Sequence, residues 1–370
     1  MPAQMDRRSF LALTGAVGAA ARLPRIPRGW RDLPDLEEAT VADLQLGQER
    51  GSFTARDLVQ GYLRRMEAMD RRGPNLHSIL DINPDAAAVA DALDREHKAG
   101  RVRGPLHGIP VLLKDNVDTA DRMTTTAGSL ALEGWMARSD AGVAARLREA
   151  GAVLLAKTNM SEWANIRSTH STSGWSARGG QCRNPYVLDR NPCGSSSGSA
   201  AAVCASLGAA AVGTETDGSI VCPASANGVV GLKPTVGLVS RSGIIPISHT
   251  QDTAGPLCRT VADAAALLSG MVGPDAHDPA TASSRRHAPR DYRLFLEPVG
   301  LRGLRIGVAR AKFFGYSDVT DRLAEEALTV LQREGAVLID PADIPHAGEY
   351  DDAELEVLLY ELKAGLNNYL

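Results

Sequence analysis

Three polar segments of the chain carry residue types that could together perform acyl transfer. A lysine, Lys114, lies in the segment PVLLKDN, and two serine-bearing segments follow it: CGSSSGSAAAV, which contains Ser195, and GTETDGSI, which contains Ser219. A lysine that loses hydration at the end of a buried strand has a lowered pKa and can act as a base. A serine activated by such a base can attack a carbonyl group. The three segments therefore predict Ser219 as nucleophile, Ser195 as proton relay and Lys114 as base, without a catalytic histidine.

Each segment has another interpretation when it is taken alone. Lys114 could be an ordinary strand-end lysine whose ammonium group reaches solvent. A serine of Cys193–Ala200 could cap a helix, or this segment could bind phosphate at a helix start, although it lacks the GK[ST] of a Walker motif and the GxGxxG spacing. Gly213–Ile220 could be a polar turn between buried elements. It is the combination of the three that favours catalysis.

The elements that must position these segments follow from short apolar runs that alternate with helical patterns. The runs suited to strands are residues 78–82, 109–113, 152–156, 209–213, 304–308 and 336–339. Helical spacing predicts helices over residues 36–48, 55–66, 85–98, 140–150, 197–207, 323–333 and 351–370. Such alternation predicts a mostly parallel sheet covered on both faces. The polar segment 274–290 is expected to be an exposed excursion.

Composition excludes some classes of function. The net charge is −4 and no basic face is evident, so a nucleic-acid partner has no electrostatic support. The five cysteines form no CxxC pair and no Cys/His cluster at zinc spacing, so we expect no metal site and at least one free thiol. A chain of 370 residues that is 44% hydrophobic can bury one large core or two modest ones.

The first residues have the pattern of an export signal. Arg7 and Arg8 precede an apolar run from Phe10 to Ala21, which ends in small residues. This pattern is typical of a signal peptide, and the paired arginines are typical of the twin-arginine route. We expect residues 1–27 to be a signal peptide with its linker and the protein to be periplasmic or extracellular. An amphipathic first helix is the alternative. The run is short for a membrane span, and no later segment qualifies.

Taken together, the three segments resemble the amidase signature family in their order and their amino-acid sequences, and within this family they resemble the peptide amidases. The resemblance continues through KTNMSEWAN at Lys157–Asn165 and through the long segment Gly228–Thr260, and it covers the chain from about Leu36 to its end. It implies an α/β amidase signature fold, three-layer α/β/α with a central mixed sheet, in a domain of residues 35–370. Because family members generally run further, we expect the C-terminal part of this domain to be missing and the chain to be a fragment.

The resemblance also implies a role for each site residue. Lys114 matches the base, Ser195 the bridging serine on a cis peptide bond, Ser219 the acylated nucleophile and Ser196 a supporting serine. The backbone N–H groups that match the family's oxyanion hole are those of Thr216, Asp217, Gly218 and Ser219. Many family members have glycine where this chain has Asp217, and we expect that side chain to point away from the hole.

The function implied by the resemblance is hydrolysis of a carboxamide through an acyl-enzyme, with release of ammonia or an amine and with no metal or cofactor. Peptide C-terminal amides are the expected substrates. The alternatives are the amidase subunit of a tRNA-dependent amidotransferase, an inactive truncated remnant, and a binding module that retained the fold. The export signal and the amino-acid sequence of Gly213–Ile220 favour the peptide amidase. His107 and His249 are expected to be structural or substrate-lining.

Overall fold

The computed structural model describes residues 34–296 and 300–370. The expected signal peptide at residues 1–27 lies outside the described residues, so it and the domain boundary at residue 35 stay predictions. The described residues divide into two compact units, one formed by residues 34–293 together with 361–370, and the other by the described residues between 294 and 360. Within the described ranges, no helix is both long and apolar enough to cross a membrane.

The strands of the first unit are, in chain order, β1 (Ile79–Ile82), β2 (Pro110–Lys114), β3 (Val153–Thr158), β4 (Trp175–Ser176), β5 (Gly180–Gln181), β6 (Ala210–Glu215), β7 (Val230–Gly231) and β8 (Thr253–Cys258). Strands β4 and β5 form a separate ribbon, and the other six form one sheet with the spatial order β1-β3-β2-β6-β8-β7. Strand β2 pairs with β3 and β6 in parallel, and the other three pairings of the sheet are antiparallel. The sheet is mixed, as the resemblance implied, and the mostly parallel sheet predicted from β/α alternation is wrong.

The helices that accompany this sheet are short. They are α1 (Val41–Glu49), α2 (Ala55–Arg65), α3 (Ala86–Lys98), α4 (Gly142–Glu149), α5 (Ser197–Cys204), α6 (Val221–Ala226), α7 (Val261–Met271) and α8 (Ser284–His287). Capping boxes formed by Thr40 with Asp43 and by Thr54 with Asp57 start α1 and α2. The cap at Thr40 explains why α1 begins five residues later than the predicted start at residue 36.

Close packing around α5 positions the serine-bearing segments. Every residue of α5 is buried, and strands β2, β3, β6 and β8 are buried along their whole length. The small residues of α5 permit a close approach to the loop after β3: a Cβ atom added at Gly198 would lie 2.5 Å from the backbone of Asn159. Because protein cores are close-packed, this arrangement leaves the start of α5 little freedom to move.

The segment 274–290 is largely exposed, as its composition predicts. Three of its polar residues, Asp278, Thr281 and Ser284, are nevertheless at most 4% exposed. Asp278 forms a salt bridge with Arg241 at 2.6 Å, and it accepts a hydrogen bond from the Arg241 N–H. The excursion is therefore anchored by a few buried polar residues, which composition alone cannot distinguish from their exposed neighbours.

The second unit contains two parallel strands, β9 (Arg305–Gly307) and β10 (Val337–Ile339), joined by the helix α9 (Asp318–Arg333). The helix α10 (Asp351–Tyr369) begins in this unit, and residues 361–369 of it belong to the first unit. Arg310 forms salt bridges with Glu325 and Asp340. The strand–helix–strand pattern agrees with the elements predicted for this part of the sequence.

Candidate active site

Lys114 is the last residue of β2, and its side chain is completely buried. Burial lowers its pKa to about 7, although the negative charges of Asp252 and Glu215 act in the opposite direction. Its Nζ atom lies 2.8 Å from Ser195 Oγ, 2.8 Å from Thr214 Oγ1 and 3.1 Å from the Thr214 carbonyl oxygen. The interpretation of Lys114 as a solvent-exposed strand-end lysine is therefore wrong.

These three contacts suit both protonation states of Lys114. A neutral amine has two N–H donors and one lone pair, whereas an ammonium group has three donors and no lone pair. In the neutral state the two donors can bind the two oxygen atoms of Thr214, while the lone pair accepts the proton of the Ser195 hydroxyl. In the charged state the third N–H donates to Ser195 Oγ. Lys114 can therefore take up a proton from Ser195 and return it without changing its hydrogen-bond partners.

The loop before α5 carries Ser195 and Ser196, both fully buried. The Gly194–Ser195 peptide bond is cis. Ser196 precedes the helix but makes no side-chain capping bond. Its hydroxyl instead donates to the Thr214 carbonyl at 3.1 Å and accepts from the Thr214 N–H at 3.2 Å, and its own N–H donates to the Ser219 carbonyl at 3.1 Å. Ser196 thus joins the loop before α5 to β6 and to the segment of Ser219. The interpretation of Ser196 as a helix cap is not supported.

Ser219 lies in the turn between β6 and α6 and is 8% exposed. The carboxylate of Glu215, the last residue of β6, accepts hydrogen bonds from the Ile220 N–H at 2.7 Å and the Val221 N–H at 3.0 Å. These bonds fix the start of α6. The Ser219 hydroxyl makes no hydrogen bond to another described residue, so the step of the relay between Ser195 and Ser219 stays a proposal.

The turn before Ser219 has the properties needed for an oxyanion hole. The N–H groups of Gly218 and Ser219 donate to no other described residue, and Gly218 has φ +78, a conformation that favours glycine. The Thr216 hydroxyl donates to Asp252 at 2.5 Å, which holds the turn against the loop after residue 246. The Asp217 side chain is exposed and does not line the adjoining cavity. This placement is compatible with an oxyanion hole.

A cavity of about 600 Å³ opens beside these segments. Ser195, Thr214, Thr216 and Ser219 contribute to its wall. Other residues that line it are Asn116, Asp118, Trp135, Arg138, Arg241, His249, Asp252, Asn368 and Tyr369. The cavity therefore brings Ser195 and Ser219 to one space that could hold a substrate.

The two histidines considered in the sequence lie in different environments. His249 lines the cavity, and its side chain is 73% exposed. His107 is buried, and its Nε2 atom lies 3.1 Å from the carbonyl oxygen of Leu93. Neither makes a hydrogen bond to Ser195 or Ser219 within the part of the chain that the structure describes. Within the same residues no group of three or more His, Cys, Asp and Glu side chains is placed to hold a metal ion.

A disulfide between Cys193 and Cys222 joins the two serine segments, and sequence analysis did not pair these residues. Cys193 lies two residues before Ser195, and Cys222 lies three residues after Ser219. The available signal was that Cys193 begins one serine-bearing segment and Cys222 lies two residues after the end of the other. The cysteines that take no part in a disulfide are buried: Cys182, Cys204 and Cys258.

Thr214, Asn116 and Asp252 also belong to the site and were not predicted. Thr214 binds Lys114, and Asn116 donates to the Thr214 hydroxyl at 3.0 Å. Asp252 accepts hydrogen bonds from Thr216 and from the backbone of the 247–248 loop. Thr214 and Asn116 lie beside predicted catalytic motifs, but only the three-dimensional pairing of β2 with β6 shows that they meet.

Comparison with known proteins identifies the family. The family model described as Amidase matches residues 57–370. A relative in Arabidopsis thaliana named "Probable amidase" is 45% identical over 366 residues, which are 97% of this chain and 68% of that protein. A glutamyl-tRNA(Gln) amidotransferase subunit of Halorhodospira halophila is 44% identical over 309 residues, which are 82% of this chain and 60% of that relative.

Among solved structures, native peptide amidase from Stenotrophomonas maltophilia superposes with a TM-score of 0.88 at 56% sequence identity. The match covers 90% of this chain and 68% of that one. The extent of the family match, the identities and the common fold agree with one another. The chain therefore belongs to the amidase signature family and is an amidase, a hydrolase that acts on C–N bonds.

Proposed function

We propose that this protein hydrolyses the C-terminal carboxamides of peptides through an acyl-enzyme on Ser219 and releases ammonia. The observation that carries the proposal is the buried contact of 2.8 Å between Lys114 Nζ and Ser195 Oγ, beside a cavity that Ser219 also lines. The choice of peptide amides is supported by the 56% identity to the peptide amidase of Stenotrophomonas maltophilia.

The reaction begins with two proton transfers. Neutral Lys114 takes the proton of Ser195 while Ser195 takes the proton of Ser219, and the Ser219 oxygen attacks the amide carbonyl. The negative charge then forms on the carbonyl oxygen, where the N–H groups of Thr216, Asp217, Gly218 and Ser219 are proposed to stabilise it.

The acyl-enzyme forms when the C–N bond of the tetrahedral intermediate breaks. Lys114 returns its proton to Ser195, Ser195 passes a proton to the departing nitrogen, and ammonia leaves. Water then attacks the ester of Ser219 by the same sequence, with Ser195 removing its proton, and the carboxylic acid is released. In this mechanism Ser196 is a positioning residue, because it holds the Thr214 backbone that binds Lys114.

A second candidate function is the amidase subunit of a tRNA-dependent amidotransferase. It is favoured by the 44% identity to the amidotransferase subunit from Halorhodospira halophila. A stand-alone peptide amidase is preferred because the identity to the peptide amidase structure is higher, at 56%. In the second function glutamine or asparagine, rather than a peptide amide, would be the ammonia donor.

The experiment that tests the proposal measures ammonia release from an N-protected dipeptide amide. The enzyme is the protein encoded by the full reading frame, and Ser219→Ala is its matched control. We expect release by the wild type and none above background by the variant. A folded wild type that cleaves glutamine but not the dipeptide amide would favour the second candidate, and one that cleaves only aryl or short acyl amides would overturn the substrate class.

We also propose export by the twin-arginine route, on the pattern of Arg7, Arg8 and the apolar run that follows. A double substitution, Arg7→Lys with Arg8→Lys, should retain the protein in the cytoplasm. Cell fractionation with immunodetection measures the distribution. Equal export of the wild type and the double variant would contradict the proposal.

A further inference from the structure

The side-chain amide of Asn116 is a buried polar group of the cavity that the proposed mechanism does not use. Asn116 follows Lys114 by two residues, lines the cavity and is 4% exposed. As the amide is oriented in the structure, Nδ2 donates to Thr214 Oγ1 at 3.0 Å. The oxygen Oδ1 is buried and has no hydrogen-bond partner among the described residues. Asn116 therefore holds an unused acceptor at the wall of the cavity.

An unused buried acceptor needs an explanation, because native proteins pair most such groups and leaving one unpaired costs stability. The backbone of Asn116 is fixed, since its carbonyl oxygen accepts a hydrogen bond from the Ile245 N–H at 2.9 Å. Its side chain is fixed by Thr214. Because both ends of the residue are held, Oδ1 has a defined position in which a substrate N–H can satisfy it.

The carboxylates of the same wall differ from Asn116 because they already accept hydrogen bonds. Asp118 Oδ1 accepts from the Tyr369 hydroxyl at 2.7 Å. Asp252 accepts from the Thr216 hydroxyl and from the N–H groups of Ile247 and Ser248. Of these three side chains, Asn116 is the one whose oxygen accepts no hydrogen bond from a described residue.

The contacts of Asn116 place it on the side of the site where the leaving nitrogen is protonated. Thr214 Oγ1 binds both Asn116 Nδ2 and Lys114 Nζ, and Lys114 contacts Ser195. In the proposed mechanism Ser195 delivers the proton to the departing nitrogen, so this nitrogen must approach Ser195. Its N–H groups gain positive charge as it is protonated, and a hydrogen bond to an oxygen therefore becomes stronger in the transition state.

We propose that Asn116 Oδ1 accepts a hydrogen bond from the N–H of the scissile carboxamide and thereby favours amides over esters of the same acyl group. This inference rests on the proposed amide hydrolysis at Ser219. It adds a specificity-determining residue on the leaving-group side, which the base, relay and nucleophile do not provide. An ester leaving group has no N–H, so it gains nothing from Asn116.

The experiment compares kcat/KM for an N-protected dipeptide amide and for the methyl ester of the same dipeptide. The Asn116→Ala variant should lower the amide-to-ester ratio of kcat/KM about tenfold or more relative to the wild type. Asn116→Asp, which keeps an oxygen at this position, should preserve the ratio within about threefold when it is measured on the alkaline plateau. Asn368→Ala removes an exposed asparagine of the same cavity, and it should change both rates by the same factor.

The ester rate separates the outcomes. An Asn116→Ala variant with an unchanged amide-to-ester ratio would overturn the inference, even if both rates fall, because Asn116 would then have only a structural role. If Asn116→Ala loses the ester rate because it does not fold, Asn116→Ser is tested in its place. The same fall in the amide-to-ester ratio of kcat/KM is then expected. A wild type that cleaves the ester but no amide would instead refute the proposed function and leave nothing for Asn116 to recognise.

Discussion

Two buried lysines lie at or near the ends of neighbouring parallel strands, and they differ in the groups that they contact. Lys114 closes β2, and Lys157 lies at the end of β3, paired in register with Leu113. Both side chains are completely buried, and burial lowers the pKa of both amines. Lys114 contacts the hydroxyl of Ser195, a residue of the cavity wall. Lys157 donates to the Val117 carbonyl at 2.6 Å and to the Thr125 hydroxyl at 2.8 Å, and it does not line the cavity.

Carboxylates act on both amines. Those of Asp115 and Asp118 act to raise the pKa of Lys157, and burial raises the pKa of both carboxyl groups. Those of Asp252 and Glu215 act in the same direction on Lys114. Burial and nearby negative charge are therefore common to the two lysines. Lys114 differs because it contacts a hydroxyl of the cavity wall, which is why it and not Lys157 is proposed as the base.

The largest expected effect is the loss of the base. Lys114→Ala should lower kcat for amide hydrolysis about a thousandfold, because no other group takes the proton from Ser195. Ammonia release per folded enzyme molecule measures this effect, and circular dichroism checks the fold. A folded variant that keeps more than a tenth of wild-type activity would show that Lys114 is not the base.

The matched substitution at the other lysine should act on stability. Lys157→Met keeps most of the length of the side chain but removes the N–H donors to the Val117 carbonyl and the Thr125 hydroxyl, and it should lower the free energy of unfolding by about 1–3 kcal/mol. The kcat of the folded fraction should stay within about tenfold of the wild type. Denaturant titration and ammonia release measure the two quantities. Equal inactivation of folded Lys157→Met and Lys114→Ala would remove the distinction between the two lysines.

The pH dependence of kcat/KM should follow the titration of Lys114 and not that of Lys157. With a pKa of about 7, Lys114 is neutral above this pH and protonated below it, and the protonated amine cannot take the proton of Ser195. The kcat/KM value should therefore fall about tenfold for each pH unit below 7 and level off above it. Stopped assays over pH 5 to about 9 measure the profile. A flat profile, or a midpoint that moves in Lys157→Met, would contradict the assignment.

The smallest expected effect concerns the residues that hold the two amines. Ser196→Ala removes the hydrogen bonds to Thr214, so it should lower kcat several-fold and the free energy of unfolding by about 1–2 kcal/mol. Thr125→Val, which removes a partner of Lys157, should change the free energy of unfolding alone. Steady-state kinetics and denaturant titration test both. A fall in kcat for Thr125→Val as large as that for Ser196→Ala would contradict the separation.

The sequence indicated the three proposed catalytic segments because their motifs follow the order found in the family and lie next to predicted strands. Strands β2, β3 and β6 were predictable from their apolar runs, and their parallel pairing brings Lys114 beside β6. Strand β8 was missed because Gly255 and Pro256 interrupt it, and proline normally argues against a central strand. Its antiparallel pairing with β6, and hence the mixed sheet, could not be read from β/α alternation.

The finer parts of the site could not be predicted, because they depend on contacts between distant residues. Thr214 and Asn116 lie 98 positions apart, and their hydrogen bond requires the register of two strands. The buried anchor at Asp278 belongs to a segment whose composition resembles that of an exposed loop. The roles of Ser195, Ser219 and the oxyanion turn stay predictions, of which the role of Ser219 is tested by Ser219→Ala.

The Cys193–Cys222 disulfide makes the structure of the protein depend on the redox conditions of its compartment. Cys222 is exposed and Cys193 is half-buried, so a small thiol or a thiol–disulfide oxidoreductase can reach the bond. Disulfides persist in oxidising compartments and are rare in the reducing cytosol. The compartment in which the chain folds therefore decides whether the loop of Ser195 and the helix after Ser219 are covalently joined or held together by hydrogen bonds alone.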